Sequence, residues 1–253
     1  MESGDNRRLH IAAAVLHFLV ICGLFAAIGF RSDFMLEGRL PVACVTMDAT
    51  PETRGFSDLV VDNNCTTYDI IAVCIFMHVW TCLYHVIYSK RGTAGKSRWD
   101  EYTVSAPLVF VNFALTSGTR DLTTLVLIGT SIAAIMRTGV FSGPTEDMTG
   151  EDKNRIAVLQ TEKIRLTFLG WLSMTAVFVI ILWNYGRVGD AAPWFVHVIV
   201  GCQCVLLPSF GVLALYQLAG KVSETRADAV YAILSMTSKI VPTSIFIGAI
   251  SNP

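Results

Sequence analysis

The stretch Ala227–Ile250, ADAVYAILSMTSKIVPTSIFIGAI, carries a lysine at its centre. It is long enough to cross a bilayer, which takes about 20 predominantly apolar residues. Its single acid, Asp228, stands eleven residues from Lys239 at the end of the run, and Lys239 is its single base. A cation at the middle of a membrane helix costs about 2.5–3.5 kcal/mol on insertion scales. Two solutions exist. A carboxylate from another helix pairs with the ammonium, or the amine is converted, as in a Schiff base with an aldehyde.

The rest of the chain agrees with a membrane setting. Of its 253 residues 53% are hydrophobic and 15% charged, where soluble domains carry about 25% charged residues. Seven stretches are apolar enough to span, at roughly 11–30, 69–89, 99–118, 121–142, 166–186, 192–219 and 227–250. They predict an all-α membrane protein of seven transmembrane helices, with residues 1–253 forming a single domain. The first stretch exceeds the usual apolar core of a signal peptide and reads as a retained helix. A net charge of −1 gives no bulk attraction to nucleic acid. Membrane lipid is the implied surrounding.

Loop charge sets the expected orientation. Twelve of the 19 Lys and Arg residues fall on the side of the N-terminus and the 2–3, 4–5 and 6–7 connections, and five on the other. The N-terminus is therefore expected in the cytoplasm and the C-terminus outside. The long 1–2 connection, about Arg31 to Thr67, is then external. Its β-prone runs Val42–Thr46 and Leu59–Val61 predict a short hairpin. Cys44 and Cys65 both lie there and form a candidate disulfide in an oxidising space. Cys202 and Cys204 fall on different helix faces, so no metal site is expected from them.

The polar groups inside the spans cluster. Glu101 and Ser105 are i,i+4 on the third stretch, and Ser235 stands at i−4 from Lys239, so each pair shares a face. The expected arrangement pairs Lys239 with Glu101, bridged by Ser105 and Ser235. His17 and His85 are expected further toward the cytoplasm, while His78 and His197 read as packing histidines. The pairing requires the third helix to begin well before Glu101, near Gly95.

Seven helices with a lysine in the last resemble a retinal-binding rhodopsin, and the details point to one branch. Arg98-Trp99-Asp100-Glu101-Tyr102-Thr103-Val104-Ser105 resembles the Arg-Trp-x-Glu-Tyr-x-x-Ser stretch of the heliorhodopsins. Tyr231 to Lys239 resembles their seventh helix, and Val15-Leu16-His17 and Tyr84-His85-Val86-Ile87 resemble the positions of their two helix-borne histidines. The inverted orientation agrees. The resemblance implies all-trans retinal on Lys239 as a retinylidene Schiff base, with Glu101 as counterion. It places Ser105 and Ser235 in the Schiff-base network and Tyr102 and Phe210 at the chromophore. It assigns His17, His85, Arg98 and Asp228 to a cytoplasmic-side proton network, and it implies a homodimer. Two departures stand out. Pro208 precedes Ser209-Phe210 where the family more usually has Asn, and Asp228-Ala229 stands where an acid–Arg pair is usual.

The residues also bear on mechanism. Glu101 is the credible carboxylate for a buried cation. Seven and eleven residues beyond it stand Leu108 and Asn112, neither a proton carrier, and the fifth and sixth stretches carry no acid in their apolar runs. A light sensor that is no enzyme and signals through an unknown cytoplasmic partner is the leading reading. A light-gated or light-driven proton conductor is the alternative. A retinal-free transporter with a structural Lys239–Glu101 pair is the third.

Overall fold

The structure is a computed structural model describing residues 3–30, 39–47, 59–139, 153–188 and 192–251. Among the described residues seven helices follow one another: α1 (Ser3–Phe30), α2 (Ile70–Arg91), α3 (Ser97–Thr116), α4 (Leu122–Gly139), α5 (Lys153–Val188), α6 (Trp194–Leu218) and α7 (Glu224–Ser251). Each packs on its chain neighbour, and α1 packs on α7, so the helices close a ring. Helices suit this solvent because they satisfy their backbone hydrogen bonds internally. Six of the seven are long and apolar enough to cross a membrane. The exception, α3, carries Arg98, Asp100 and Glu101 near its start.

Large apolar side chains face outward as well as inward. Phe168, Trp183, Trp194 and Val205 are each about two-thirds exposed, as expected where the surroundings are hydrocarbon. The interior is filled by Tyr102, Phe110, Phe113, Ile128, Ile132 and Tyr231.

Between α1 and α2, β1 (Arg39–Met47) runs antiparallel to β2 (Leu59–Asp69), from Arg39 opposite Asp69 to Met47 opposite Leu59. The register shifts between Val42 and Cys44. The side chains of Cys44 and Cys65, and so their pairing, lie outside the described residues.

Two helix starts differ from the sequence reading. The first helix begins at Ser3 rather than 11, and α5 at Lys153 rather than 166. Hydropathy marks where a helix enters hydrocarbon. It does not mark where strong helix formers such as Leu, Gln, Glu, Lys and Arg let the backbone begin to wind.

A tight turn joins α2 to α3. Gly92 (φ 78°) and Gly95 (φ 51°) hold left-handed backbone that other residues seldom adopt. Arg98 Nε donates to the Gly95 carbonyl at 2.7 Å. The helix therefore starts at Ser97, and Glu101 enters its second turn, deep enough to meet α7.

Candidate functional site

Lys239 is 3% exposed and Glu101 1%. Lys239 Nζ donates to Glu101 Oε1 at 2.6 Å, Ser235 Oγ at 2.9 Å and Thr81 Oγ1 at 3.0 Å. Helices α2, α3 and α7 thus each contribute an oxygen to the three donors of one ammonium. The Tyr102 ring lies 5.5 Å from Nζ, and its hydroxyl donates to the Tyr231 carbonyl at 3.2 Å. Of the two serines expected to bridge, Ser235 does so. Ser105 does not; its buried hydroxyl has no partner. Thr81, which the sequence reading missed, takes the place assigned to it. It lies on α2, whose rotation about its axis no local motif fixes.

A file of histidines flanks this pair, on the facing sides of α1 and α2. His17 Nδ1 lies 2.7 Å from His78 Nδ1, and His78 Nε2 lies 3.2 Å from Thr243 Oγ1. His10 Nδ1 lies 3.0 Å from His85 Nδ1, and the rings of His17 and His85 stack at 5.7 Å. All four are buried. His78 is therefore a hydrogen-bonded member of the file rather than a packing residue, and His17 meets it beside Thr243, one turn beyond Lys239. His10 was not singled out in the sequence. The signal was present: His10 and His17, like His78 and His85, are seven apart, so each pair lies on one helix face. His197 sits elsewhere, hydrogen-bonded to Tyr185 between α5 and α6.

Asp228 ties the end of the file together. It accepts from the Ala94 backbone N–H at 3.2 Å and from Asn6 Nδ2 at 3.3 Å, and meets His10 Nε2 at 3.2 Å. Arg98 approaches to 3.7 Å and lies 4.8 Å over the Tyr231 ring. The buried carboxylate so joins α1, α7 and the α2–α3 turn. Removing it leaves Arg98, 3% exposed, without its anion. Asp228→Ala is expected to lower stability by about 1.5–3 kcal/mol, the range for hydrogen bonds to charged groups, with Asp228→Asn milder. Thermal midpoints in detergent check this, and an unchanged midpoint in Asp228→Ala contradicts it.

Two chambers adjoin the lysine, and a third shares lining residues with one of them. One is lined by Lys239, Ser105, Tyr102, Phe110, Leu207 and Phe210. It shares Met136, Met174 and Phe210 with a second chamber of about 520 Å³, which reaches Trp99, Trp171 and Gly211. The third, of about 400 Å³, lies on the other side of Lys239 among Cys74, Asn112, Gln203 and Thr243. Among the described residues no carboxylate lines it. Tyr102 and Phe210 touch edge to face at 5.6 Å. No cluster of metal-ligating side chains occurs among the described residues.

Comparison with known proteins agrees with this architecture. The family model Heliorhodopsin matches residues 7–250. No curated protein sequence matches the chain. Solved structures share the fold. The light-driven proton pump LR (Mac) from Leptosphaeria maculans superposes with a TM-score of 0.68 at 12% identity, over 100% of this chain and 98% of that one. A cyanorhodopsin from the cyanobacterium Calothrix sp. gives 0.68 at 10% identity, over 98% and 96%. The transmembrane domain of the Salpingoeca rosetta rhodopsin phosphodiesterase gives 0.67 at 10% identity, over 98% and 85%.

Proposed function

The chain belongs to the heliorhodopsin family over residues 7–250, and on that premise we propose that it is a light-sensing retinal protein. Lys239 is the retinal anchor and Glu101 its counterion. The observation that carries this reading is the 2.6 Å contact between Lys239 Nζ and Glu101 Oε1 inside the ring of helices. The surroundings fit the group. The adjoining chamber is apolar apart from Lys239, Ser105, Ser235, Ser238 and Tyr102. Bound covalently to the nitrogen of Lys239, all-trans retinal would supply a light-absorbing polyene.

The chain's own groups then divide the work. Glu101 holds an anion where the lysine nitrogen sits, which a buried cation requires. Ser235 and Thr81 supply oxygens to the same nitrogen. Tyr102 and Phe210 wall the chamber. His17 Nε2 and His85 Nε2 are buried without protein partners beside this pair.

We read the output as signalling rather than pumping, and the protein as no enzyme. Supporting this, the chamber among Asn112, Gln203 and Thr243 offers no carboxylate to carry a proton away from Lys239. The N-terminus lies in the cytoplasm, the β1–β2 hairpin outside, and the protein works as a homodimer in lipid with a cytoplasmic partner. One observation favours a second reading, proton conductance: the histidine file runs from Asp228 past the Lys239–Glu101 pair to Thr243. Adding all-trans retinal to the purified apoprotein tests the first proposal, and a visible absorption band is expected. Voltage clamp separates the two readings. A steady photocurrent that Glu101→Gln abolishes would replace signalling with conductance.

A further inference from the structure

The chamber on the other side of Lys239 has largely apolar walls, yet Asn112, Thr116, Gln203, Ser238 and Thr243 also line it. The donors of these residues are engaged within the protein. Gln203 Nε2 donates to the Ser238 carbonyl at 3.0 Å, and Asn112 Nδ2 to Cys74 Sγ at 3.7 Å. Thr116 Oγ1 donates to the Asn112 carbonyl at 3.0 Å, and Ser238 Oγ to the Ser235 carbonyl at 3.3 Å. Thr243 Oγ1 meets Cys74 Sγ at 3.8 Å and His78 Nε2 at 3.2 Å. Two acceptors remain. Asn112 Oδ1 and Gln203 Oε1 are buried and have no protein partner, and Gln203 as a whole is 2% exposed. Turning the Gln203 amide over does not relieve its oxygen. Oε1 would then face the Ser238 carbonyl, and neither oxygen can donate.

A buried acceptor without a donor loses its hydration for nothing, so the occupant that fits is a donor. The centre of a water molecule has about 40 Å³ open to it here, above the roughly 10–15 Å³ that one buried water requires. Water has two hydrogens to give and takes two to four polar partners. The two amide oxygens and the lone pairs of Thr116 and Ser238 supply them. A metal cation suits the lining less. Among the described residues no carboxylate lines the chamber, whereas Lys239 does, and like charges repel strongly away from bulk water.

We infer that this chamber is a hydration site, in which internal water donates to Gln203 Oε1 and Asn112 Oδ1. The inference goes beyond the retinal reading and stands on the protein's own groups. It makes the side of Lys239 away from Glu101 wet, where packing of apolar side chains alone would leave it dry.

Crystals of the full chain test it, with or without retinal. At a resolution that shows ordered water elsewhere in the bundle, density for a water is expected within about 3.2 Å of Gln203 Oε1. Xenon pressure separates a wet chamber from a dry one, since an apolar cavity that stays dry binds xenon; the wild-type chamber is expected to exclude it. Empty density at both amide oxygens, or xenon in their place, overturns the inference. So does an anomalous peak at these oxygens in crystals soaked with rubidium, which assigns the site to a cation. In Asn112→Leu/Gln203→Leu the water is expected to be lost, and water that persists there overturns the role of the two oxygens. The wild-type measurements decide the matter by themselves if that variant does not fold.

Discussion

Lys239→Ala is expected to abolish the visible absorption band completely when all-trans retinal is added. An aldehyde needs a primary amine to form an imine, and Lys239 is the lysine that lines the buried chambers. The substitution also strands Glu101, 1% exposed, so loss of the band could reflect unfolding. The double variant Lys239→Ala/Glu101→Gln removes both charges and controls for that. It should fold and still show no band. Borohydride reduction of the illuminated wild type should place the retinoid mass on the peptide containing Lys239. A visible band surviving in Lys239→Ala, or the mass appearing on another peptide, refutes the assignment.

The second large effect concerns the empty protein. Glu101→Gln in the apoprotein leaves the ammonium of Lys239 buried with neutral oxygens from Ser235, Thr81 and the new amide. Breaking a buried ion pair by removing one partner costs about 3–5 kcal/mol. Lys239→Met is expected to cost a similar amount, because it strands the carboxylate instead. Together the two substitutions should recover most of the loss, since replacing both charges is far less costly than orphaning one. Unfolding of the four apoproteins in mixed micelles gives the coupling between the sites. Additive losses would mean that the contact at 2.6 Å contributes little in solution.

Much of this site was legible in the chain. Lys239 announced itself as an uncompensated cation in an apolar run, and i,i+4 spacing placed Ser235 beside it. Glu101 followed because helices are long and acids within them scarce. What stayed hidden depends on tertiary placement. Ser105 shares a face with Glu101, yet its hydroxyl finds no partner, because α2 presents Thr81 at the lysine first. His10 stands two residues past Arg8, just outside the first apolar stretch. It is buried because α1 starts at Ser3 and lays its first turns against Asp228 and the α2–α3 turn. Asp228, at the edge of an apolar run, has its place in the proton network by resemblance alone; its burial has no local signal. The left-handed glycines at 92 and 95 fold the α2–α3 turn over it, and no hydropathy window sees that.

The paired histidine nitrogens impose bookkeeping on hydrogen atoms. Two facing Nδ1 atoms accommodate one proton between them, so within each pair a donor ring dictates an acceptor ring. With a neutral His10 the order at the Asp228 end follows. The carboxylate can only accept, so His10 carries its hydrogen on Nε2, a neutral His10 then has a bare Nδ1, and His85 must donate from Nδ1. The far nitrogen of His85 is left as an open lone pair, and it is the atom with no partner. A single carboxylate at the rim therefore sets the tautomer of a ring two residues removed from it and keeps a vacant proton seat inside the bundle.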